Sequence, residues 1–463
     1  MGNNKRSKVR LAAALAPFLA LSALAAPAAG QTLDEALANA YRENPNLGAG
    51  RSELRAVNEQ VPQALSGWRP QVTVNGAAGA RKENQQSAFF SAQQDTNPVQ
   101  LSLDVSQPIY RGGRTLADTA RAEFAVQAQR ARLKSITQEI LLRAATAYMD
   151  VWRDQAVLGL NINNEKVLGR QLQATRDRFE VGEVTLTDVA QSESRLAAAT
   201  AARVAAEGEL KASQARFEEV IGLTPGVLTQ PPPVADLPIS RDMAIDAALA
   251  DNPQVVAANF EEDTAEKRVE VVFGEFFPEA SLDLRFARAA ETATENSQVE
   301  SAELTANIRI PLYQSGLVSS RVREAKQRLS QRRIEVEAVR RTVRQDTISA
   351  WEALTSARAQ IESFEANVRA ADIALDGVRQ ENAVGARTIL DILDAEQELL
   401  DAQVNLVRAQ RDEIVASFQV LSAVGDLTPQ ELELDVEAYD PADDYQAVRN
   451  RWLGTQAPGF REE

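Results

Sequence analysis

Two short motifs carry the residues whose types and spacing suggest chemistry. Thr185-x-x-Asp188 and Thr388-x-x-Asp391 each place a hydroxyl three residues before a carboxylate. This spacing is close to a helix capping box, and an acidic residue in the first turn also suits the helix dipole. The first interpretation of both aspartates is therefore structural: each begins a helix.

The two motifs differ in their charged neighbours. Arg387 stands in the second motif where Val184 stands in the first, and Asp394 stands where Gln191 does. Both motifs must form the same turn. Residues that differ between the motifs are therefore less likely to be required by that turn. Arg387 has two interpretations that the sequence leaves open: a solvated surface charge, or a functional ion pair.

The composition excludes several classes of function. The chain contains no histidine and no cysteine, which removes disulfides, thiolate or imidazole metal sites, and catalysis by either residue. No cluster of catalytic residue types replaces them. We therefore expect neither an enzyme nor a cofactor, and no structural metal site.

Residues 1–30 have the pattern of a secretion signal. A basic start precedes the apolar stretch 11–29, which ends in the small residues A-P-A-A-G. A membrane anchor is the alternative, although Pro17 and Pro27 interrupt the stretch. Removal of this segment changes the net charge from −16 to −20, because it holds four basic and no acidic residues. Such an acidic protein is not expected to bind nucleic acid.

The rest of the chain consists of two copies of one sequence repeat. Q-P-I-Y at 107–110 returns as I-P-L-Y at 310–313, 203 positions later, and Gly182 and Gly385 have the same separation. An internal repeat of this length determines how the fold is read. It predicts a first repeat over 31–225, a proline-rich linker over 226–240, a second repeat over 241–429 and a tail over 430–463.

Each repeat predicts a series of helices. Short helices over 33–44 and 242–252 stop at Asn-Pro, and helices over 46–66 and 254–275 follow, the first kinked at Pro62. The proline-free stretches 113–181 and 316–384 predict helices about 100 Å long. Return helices over 186–221 and 389–424 are about half as long, so we expect the helices over 46–66 and 254–275 to stack end to end on them.

The second long helix shows coiled-coil spacing. Only Arg332 and Asp346 are polar on its stripe, and one extra step of four predicts a local unwinding. The stripe consists of Val322, Ala325, Leu329, Arg332, Val336, Val339, Val343, Asp346, Ala350, Leu354, Ala357, Ile361, Phe364, Val368, Ala371, Leu375 and Val378. A helix of this kind must lie along other helices.

Strands with alternating apolar residues precede each long helix, over 71–81 and 99–105, and over 281–288 and 304–310. Their length of about 10 residues suits a tilted membrane strand, and polar loops join them. A half-buried soluble hairpin has the same alternation. No later apolar stretch approaches the roughly 20 residues of a membrane helix. If the strands span a membrane, four per chain cannot close a barrel, so a homo-oligomer must share one.

With these features the chain resembles the TolC-type outer-membrane channels of efflux and type I secretion. The resemblance covers essentially all of the chain after residue 30, and includes the tips V-G-E-V-T-L-T-D-V and V-G-A-R-T-I-L-D-I-L-D. It implies an α+β, mainly α fold, with long antiparallel coiled-coil helices continuing a shared β-barrel. It also implies a homotrimer with twelve strands, set in the outer membrane and extending into the periplasm as a passive conduit.

The same resemblance assigns roles to the tips. Asp391 and Asp394 would form carboxylate rings able to hold divalent cations, while Arg387 and Asp188 would take part in links that close the entrance. The family often has tyrosine where Asn382 stands. An adaptor, joined to an inner-membrane pump or ABC exporter, would dock at Val181, Gly182, Thr185, Val384, Gly385 and Thr388.

Two alternatives remain at this point. An exported coiled-coil scaffold or adaptor would explain the helices and the signal, but not two hairpins of membrane length. Within the channel interpretation, small-molecule efflux and protein secretion are not separated by the sequence of the duct, and the substrate is not indicated.

Overall fold

The computed structural model of the chain describes residues 31–235, 237–292 and 294–457. The predicted secretion signal, residues 1–30, lies outside the described residues. Gln31, the first of them, forms a parallel β-bridge with Leu228. Its carbonyl also accepts a hydrogen bond of 2.7 Å from the Tyr148 hydroxyl. The described chain is therefore tied into the fold from its first residue.

Helices make up most of the described residues, in the order that the repeat predicts. They are α1 (Leu33–Glu43), α2 (Pro45–Asn58), α3 (Gln60–Leu65), α4 (Arg114–Glu180), α5 (Leu186–Ile221), α6 (Arg241–Asp251), α7 (Pro253–Phe273), α8 (Leu317–Ala383), α9 (Ile389–Val424) and α10 (Pro441–Arg449). The two long helices, α4 and α8, have 67 residues each, and the return helices have 36 each. The predicted end-to-end stacking is confirmed, since Asn44 joins α5 to α2 and Asn252 joins α9 to α7.

The two repeats differ where Pro62 occurs. The helix of the first repeat is interrupted at Glu59, between α2 and α3. Proline has no N–H to donate to the carbonyl four residues earlier, and its ring crowds that turn. The second repeat has Glu270 at this position, and α7 runs unbroken for 21 residues. The predicted local difference is confirmed.

The apolar stripe of α8 packs against two helices in turn. Val318 and Val322 contact the end of α7 near Val272, while Leu354 packs with Val420 on α9. Every apolar residue of the stripe is buried or half-buried, whereas Arg332 and Asp346 are exposed. The stripe therefore predicted the packing face correctly, and at its two polar residues this face is exposed.

Six strands occur in the described residues. They are β1 (Gln71–Ala78), β2 (Arg81–Ser87), β3 (Phe90–Thr96), β4 (Val99–Arg111), β5 (Glu279–Ala290) and β6 (Gln298–Arg309). Four of them form an antiparallel sheet in the order β1-β4-β5-β6. The contact between β4 and β5 joins the two repeats.

The prediction of a polar loop after β1 was wrong. Strands β2 and β3 form a separate antiparallel hairpin there, with Arg81 opposite Thr96. This hairpin forms although the sequence of β2 is polar throughout and that of β3 is mostly polar. Alternation of apolar residues cannot reveal such a strand, because backbone hydrogen bonds do not depend on side-chain type.

The largest core lies midway along the helices. It gathers residues of α1, α4, α5 and α9, including Leu37, Tyr148 and Phe217. Leu228, from the proline-rich segment between the repeats, is buried in it, and Leu237 packs against it. The segment predicted as a linker is therefore part of the packed structure.

Among the helices in residues 31–235, 237–292 and 294–457, none is both long and apolar enough to span a bilayer.

Candidate functional site

Both helix tips use glycine to reverse the chain. Gly182 and Gly385 have φ angles of +86° and +77°, in the left-handed region. Their N–H groups donate to the carbonyls of Phe179 and Asn382, each at 3.0 Å. A residue with a Cβ atom would cost roughly 1–2 kcal/mol in this conformation. The predicted glycine caps are confirmed at both tips.

The threonine–aspartate motifs form complete capping boxes. The Thr185 hydroxyl accepts from the Asp188 N–H at 3.3 Å, and Asp188 Oδ2 accepts from the Thr185 N–H at 2.8 Å. The Thr185 hydroxyl also donates to that oxygen at 2.7 Å. Thr388 and Asp391 repeat all three distances at the start of α9. The structural interpretation of both aspartates is thereby confirmed.

Arg387 joins the end of α8 to the start of α9. Its Nε donates to Glu381 Oε2 at 2.8 Å, and its Nη1 lies 4.0 Å from Asp391 Oδ1. Asn382 Nδ2 donates to the Arg387 carbonyl at 2.8 Å, so Asn382 stabilises the same turn. At the other tip the neutral Val184 replaces the arginine. This cross-link therefore belongs to the second tip alone.

These contacts shift ionisation at the second tip. Hydrogen bonds from the Thr388 side chain and backbone, then the charge of Arg387, hold the pKa of Asp391 below its usual range. The hydrogen bond and charge of Glu381, with a contribution from Asp391, raise the pKa of Arg387. The Asp391 carboxylate and the Arg387 guanidinium therefore both stay charged at neutral pH.

Asp394 is engaged by the other return helix. Its Oδ1 accepts from Arg195 Nη2 on α5, and both side chains are roughly half exposed. Arg195 is not among the site residues predicted from the sequence. Its counterpart 203 residues later is Glu398, so the repeats differ in charge at this position, as they do at Arg387 and Asp394. The difference between repeats was the signal that could have found it.

A second class of ion pair occurs at both tips. Arg176 donates to Glu193 at 2.6 Å, which links α4 to α5. Arg379 and Glu396, their counterparts 203 positions later, link α8 to α9. Because both repeats have it, this pair belongs to the shared helical hairpin. The Arg195–Asp394 pair instead bridges the two hairpins.

The sheet has two different faces. In antiparallel strands, opposite residues share a face and successive residues alternate. The row Val74, Leu103, Phe286 and Ala302 is apolar, and the adjacent row on the other face is Thr73, Asp104, Arg285 and Glu303. Within the part of the chain that the structure describes, nothing covers the apolar face, as the 67% exposure of Val74 shows.

The other face carries a polar network. Asp104 accepts from Asn75 at 2.9 Å and from Ser102 at 2.7 Å. Asp283 accepts from Ser281 at 2.7 Å and from Asn307 at 2.6 Å. These carboxylates are therefore hydrogen-bonded on a face suited to water, opposite a face suited to lipid.

Strands β1 and β6 end this sheet, and within the described chain neither has a partner on its outer side. An unpaired edge in lipid leaves backbone polar groups unsatisfied. A two-faced sheet with free edges, continued by helices about 100 Å long, defines the subunit of a membrane channel with a helical extension.

The particular family follows from sequence comparison. The chain belongs to the outer membrane efflux protein family, whose family model matches residues 34–223 and 244–426. It is 35% identical over 435 residues to the outer membrane efflux protein BepC of Brucella suis biovar 1, covering 94% of each chain. It is 27% identical over 430 residues to the outer membrane protein TolC of Vibrio cholerae, covering 90% of this chain and 96% of TolC.

The fold agrees with that of a solved channel. The Campylobacter jejuni CmeC outer membrane channel matches with a TM-score of 0.78 at 15% identity, covering 90% of this chain and 89% of that one. The predicted fold class and the family resemblance are confirmed. The protein is an outer-membrane channel of the efflux and type I secretion class.

Proposed function

We propose that three copies of this chain form a passive exit duct, closed at rest by helix packing and by ion pairs at the tips. The observation that carries the proposal is the four-stranded sheet with two free edges and an uncovered apolar face. Three such sheets, joined β1 to β6, make a closed barrel of twelve strands. The helices then continue this barrel as a tunnel into the periplasm.

The resting closure depends on weak, repeated links. Arg387 ties α8 to α9, and Arg195–Asp394 ties the two hairpins together. Asp188 uses Oδ2 for its own cap, which leaves Oδ1 for a cation of a neighbouring copy. Exposed ion pairs of this kind contribute roughly 0.2–1 kcal/mol each. Several of them in three copies hold the tips, yet a docking partner can displace them.

The entrance is proposed to select cations. Asp391 and Asp394 lie one helical turn apart, so three copies place six carboxylates around the mouth. Rings of carboxylates favour cations and bind divalent ions in channels. While the entrance is closed, the positive charge of Arg195 offsets the negative charge of Asp394. Separation of the two hairpins then exposes the full charge of the ring.

The tips are proposed to dock a periplasmic adaptor. Val181 and Val384 are 72% and 81% exposed, beside the glycines that reverse the chain. Gly182, Gly385, Thr185 and Thr388 complete these surfaces. The adaptor in turn joins an inner-membrane pump or ABC exporter. The duct takes no part in catalysis, and either small molecules or a secreted protein would pass through it.

The state of the protein in its membrane tests the proposal. We expect it to resist alkaline washing of outer membranes, to dissolve in detergent, and to have the mass of three chains. Its resting conductance in planar bilayers should be low. A scaffold without a barrel would be washed off, and a monomer or dimer in detergent would contradict the shared sheet.

A further inference from the structure

The C-terminal tail reaches one free edge of the four-stranded sheet. Arg69 comes just before β1, and its Nη1 donates a hydrogen bond of 2.9 Å to the Arg451 carbonyl. The Arg69 guanidinium also lies 4.9 Å from the centre of the Trp452 ring. The tail is therefore held at the start of β1, yet the Trp452 side chain is still 65% exposed.

Helix α10 sets the path by which the tail reaches this edge. Tyr445 packs with Val61 of α3 and Val126 of α4. Arg449 Nη2 then donates to Glu123 Oε1 at 3.2 Å. Because α4 begins beside the sheet, Glu123 lies closer to the sheet than Val126 does. Successive contacts thus lead the tail along the helices towards β1.

The opposite free edge of the sheet, beyond β6, leads into the motif I-P-L-Y. Tyr313 of this motif is 85% exposed, whereas Tyr110, its counterpart in Q-P-I-Y, is 46% exposed. The difference agrees with the strand pairing. Tyr110 lies opposite Ala280 of β5, while within the described chain no strand pairs on the outer side of β6. Tyr313 lacks the neighbour that its counterpart has.

The junction of β4 and β5 indicates what that neighbour is. In a shared barrel, β1 of the next copy lies beside β6 as β5 lies beside β4. Residues before β1 and β5 correspond at an offset of 208, so Arg69 takes the place of Phe277. A Cβ atom on Gly112 would lie 2.9 Å from the Phe277 Cβ. Ser315, the counterpart of Gly112, should therefore lie beside Arg69 of the next copy.

The boundary between β6 of one copy and β1 of the next, here called the seam, has more room than the junction of β4 and β5. At that junction, a Cβ atom on Gly274 would lie 2.8 Å from the Gly112 carbonyl oxygen, so only glycine allows the two backbones to approach this closely. The corresponding residues at the seam are Ser66 and Ser315, which both have a Cβ atom. The backbones must therefore stay farther apart at the seam.

We propose that the tail of one copy fills this seam, with Trp452 and Leu453 packed on the turn that follows Tyr313 in the neighbouring copy. Trp452, held on Arg69, supplies there the aromatic ring that Phe277 supplies within the chain. The proposal rests on the proposed twelve-stranded barrel and adds the tail as a clasp between copies. A membrane surface is the rival partner, because exposed aromatic residues near strand ends also suit the lipid interface.

Cross-linking tests the contact directly, because the chain contains no cysteine. In detergent-solubilised trimers of the double variant Leu453→Cys/Ser315→Cys, a short bismaleimide should join neighbouring copies, so a denaturing gel should show two and three linked chains. In the matched control, Ser330→Cys replaces Ser315→Cys. Ser330 is also exposed, but it lies about 20 Å farther along α8. The control and both single variants should give unlinked chains.

The rate at which the trimer dissociates in dodecyl sulfate gives a second measurement. Trp452→Ala should raise this rate roughly tenfold, since a buried aromatic anchor at an interface commonly contributes that much. Tyr313→Ala should act similarly. The double variant should be no worse than the worse single variant, because both changes remove one contact. Trp452→Phe, which keeps a ring, should have a smaller effect.

Three results would overturn the clasp. The first is a trimeric mass without cross-linked product from Leu453→Cys/Ser315→Cys, which would leave the shared barrel standing. The second is full additivity of Trp452→Ala and Tyr313→Ala. The third is quenching of Trp452 fluorescence by brominated phospholipid in vesicles, in a variant whose other three tryptophans are phenylalanine, since the ring would then lie in lipid. A monomeric mass in detergent would refute the shared barrel and the clasp together.

Discussion

Asn252 Nδ2 donates a hydrogen bond of 2.9 Å to the carbonyl of Ala423, joining the first turn of α7 to the last turn of α9. Its Oδ1 accepts from the Gln254 N–H at 2.9 Å, so one amide serves two helix ends. Asn44 makes the equivalent bond to the Val220 carbonyl, also at 2.9 Å. Helix ends leave backbone groups without partners. The Asn252 amide satisfies one of each kind, a carbonyl at the end of α9 and an N–H at the start of α7.

Replacement of that amide should weaken the junction. We expect Asn252→Ala to lower the free energy of unfolding by about 1–2 kcal/mol, since a cap is lost and a carbonyl loses its donor. Asn252→Asp keeps the cap acceptor and should lose less. Denaturant unfolding of the purified assembly measures both. Equal stability of the alanine variant and the parent would contradict this role.

Removal of Arg387 should loosen the closed entrance. Arg387→Ala breaks the pair with Glu381 and the contact with Asp391, so we expect a severalfold higher resting conductance in planar bilayers. Arg369→Ala, which removes an exposed arginine higher on α8, is the matched control and should have no effect. An unchanged closed state in Arg387→Ala would count against the proposed link.

Asp394 should influence both ion selectivity and closure. Asp394→Ala removes one carboxylate per chain from the proposed ring, so we expect weaker cation preference and weaker block by divalent ions. It also frees Arg195, so resting conductance should rise. Arg195→Ala separates the two effects, because it should raise conductance while keeping cation preference. If Asp394→Ala leaves selectivity and block unchanged, the entrance assignment fails.

The stability of the capping box at the start of α9 should depend on pH in the acid range. The pKa of Asp391 is lowered in the folded chain from the ordinary value of 3.8, mainly by hydrogen bonds from Thr388. The stabilisation is therefore complete above pH 3.8 and is lost as pH falls through the lowered value. Hydrogen exchange of the first turn of α9 should accelerate there. Asp391→Asn should show no such dependence.

The tail should respond to alkaline pH. The Tyr439 hydroxyl donates to Asp444 Oδ2 at 2.6 Å, and the Tyr439 N–H donates to the Tyr41 hydroxyl at 3.1 Å. Burial, followed by the contact with Asp444, raises the pKa of Tyr439 from 10.0 to about 12. Because the folded pKa is raised, the stabilisation is complete below pH 10 and is lost as pH rises towards about 12.

The fluorescence of Trp452 can report the loosening of the tail that should follow ionisation of Tyr439. The Trp452 ring lies 4.9 Å from the Arg69 guanidinium, next to the start of β1. In a variant with Trp68, Trp152 and Trp351 replaced by phenylalanine, fluorescence anisotropy of Trp452 should fall as pH rises above 10. Adding Tyr439→Phe should shift or abolish that transition. An anisotropy change that is the same with and without Tyr439 would refute the link.

Much of the fold followed from local signals in the sequence. Asn-Pro ended α1 and α6, Pro62 interrupted one helix, and T-x-x-D began α5 and α9 with capping boxes. The stripe on α8 predicted its buried face. These signals act within a few residues of the chain, through backbone sterics, missing donors and helical periodicity, so one sequence reveals them without knowledge of distant contacts.

The sequence by itself determined the repeat, the order of the main helices and the apolar alternation of the strands in the four-stranded sheet. Only the tertiary structure decided that β4 pairs with β5 and that Arg195 meets Asp394 across 199 positions. The polar hairpin of β2 and β3 belongs with these. All of them depend on which distant segments come into contact, and that choice is made by packing of the whole chain rather than by any local pattern.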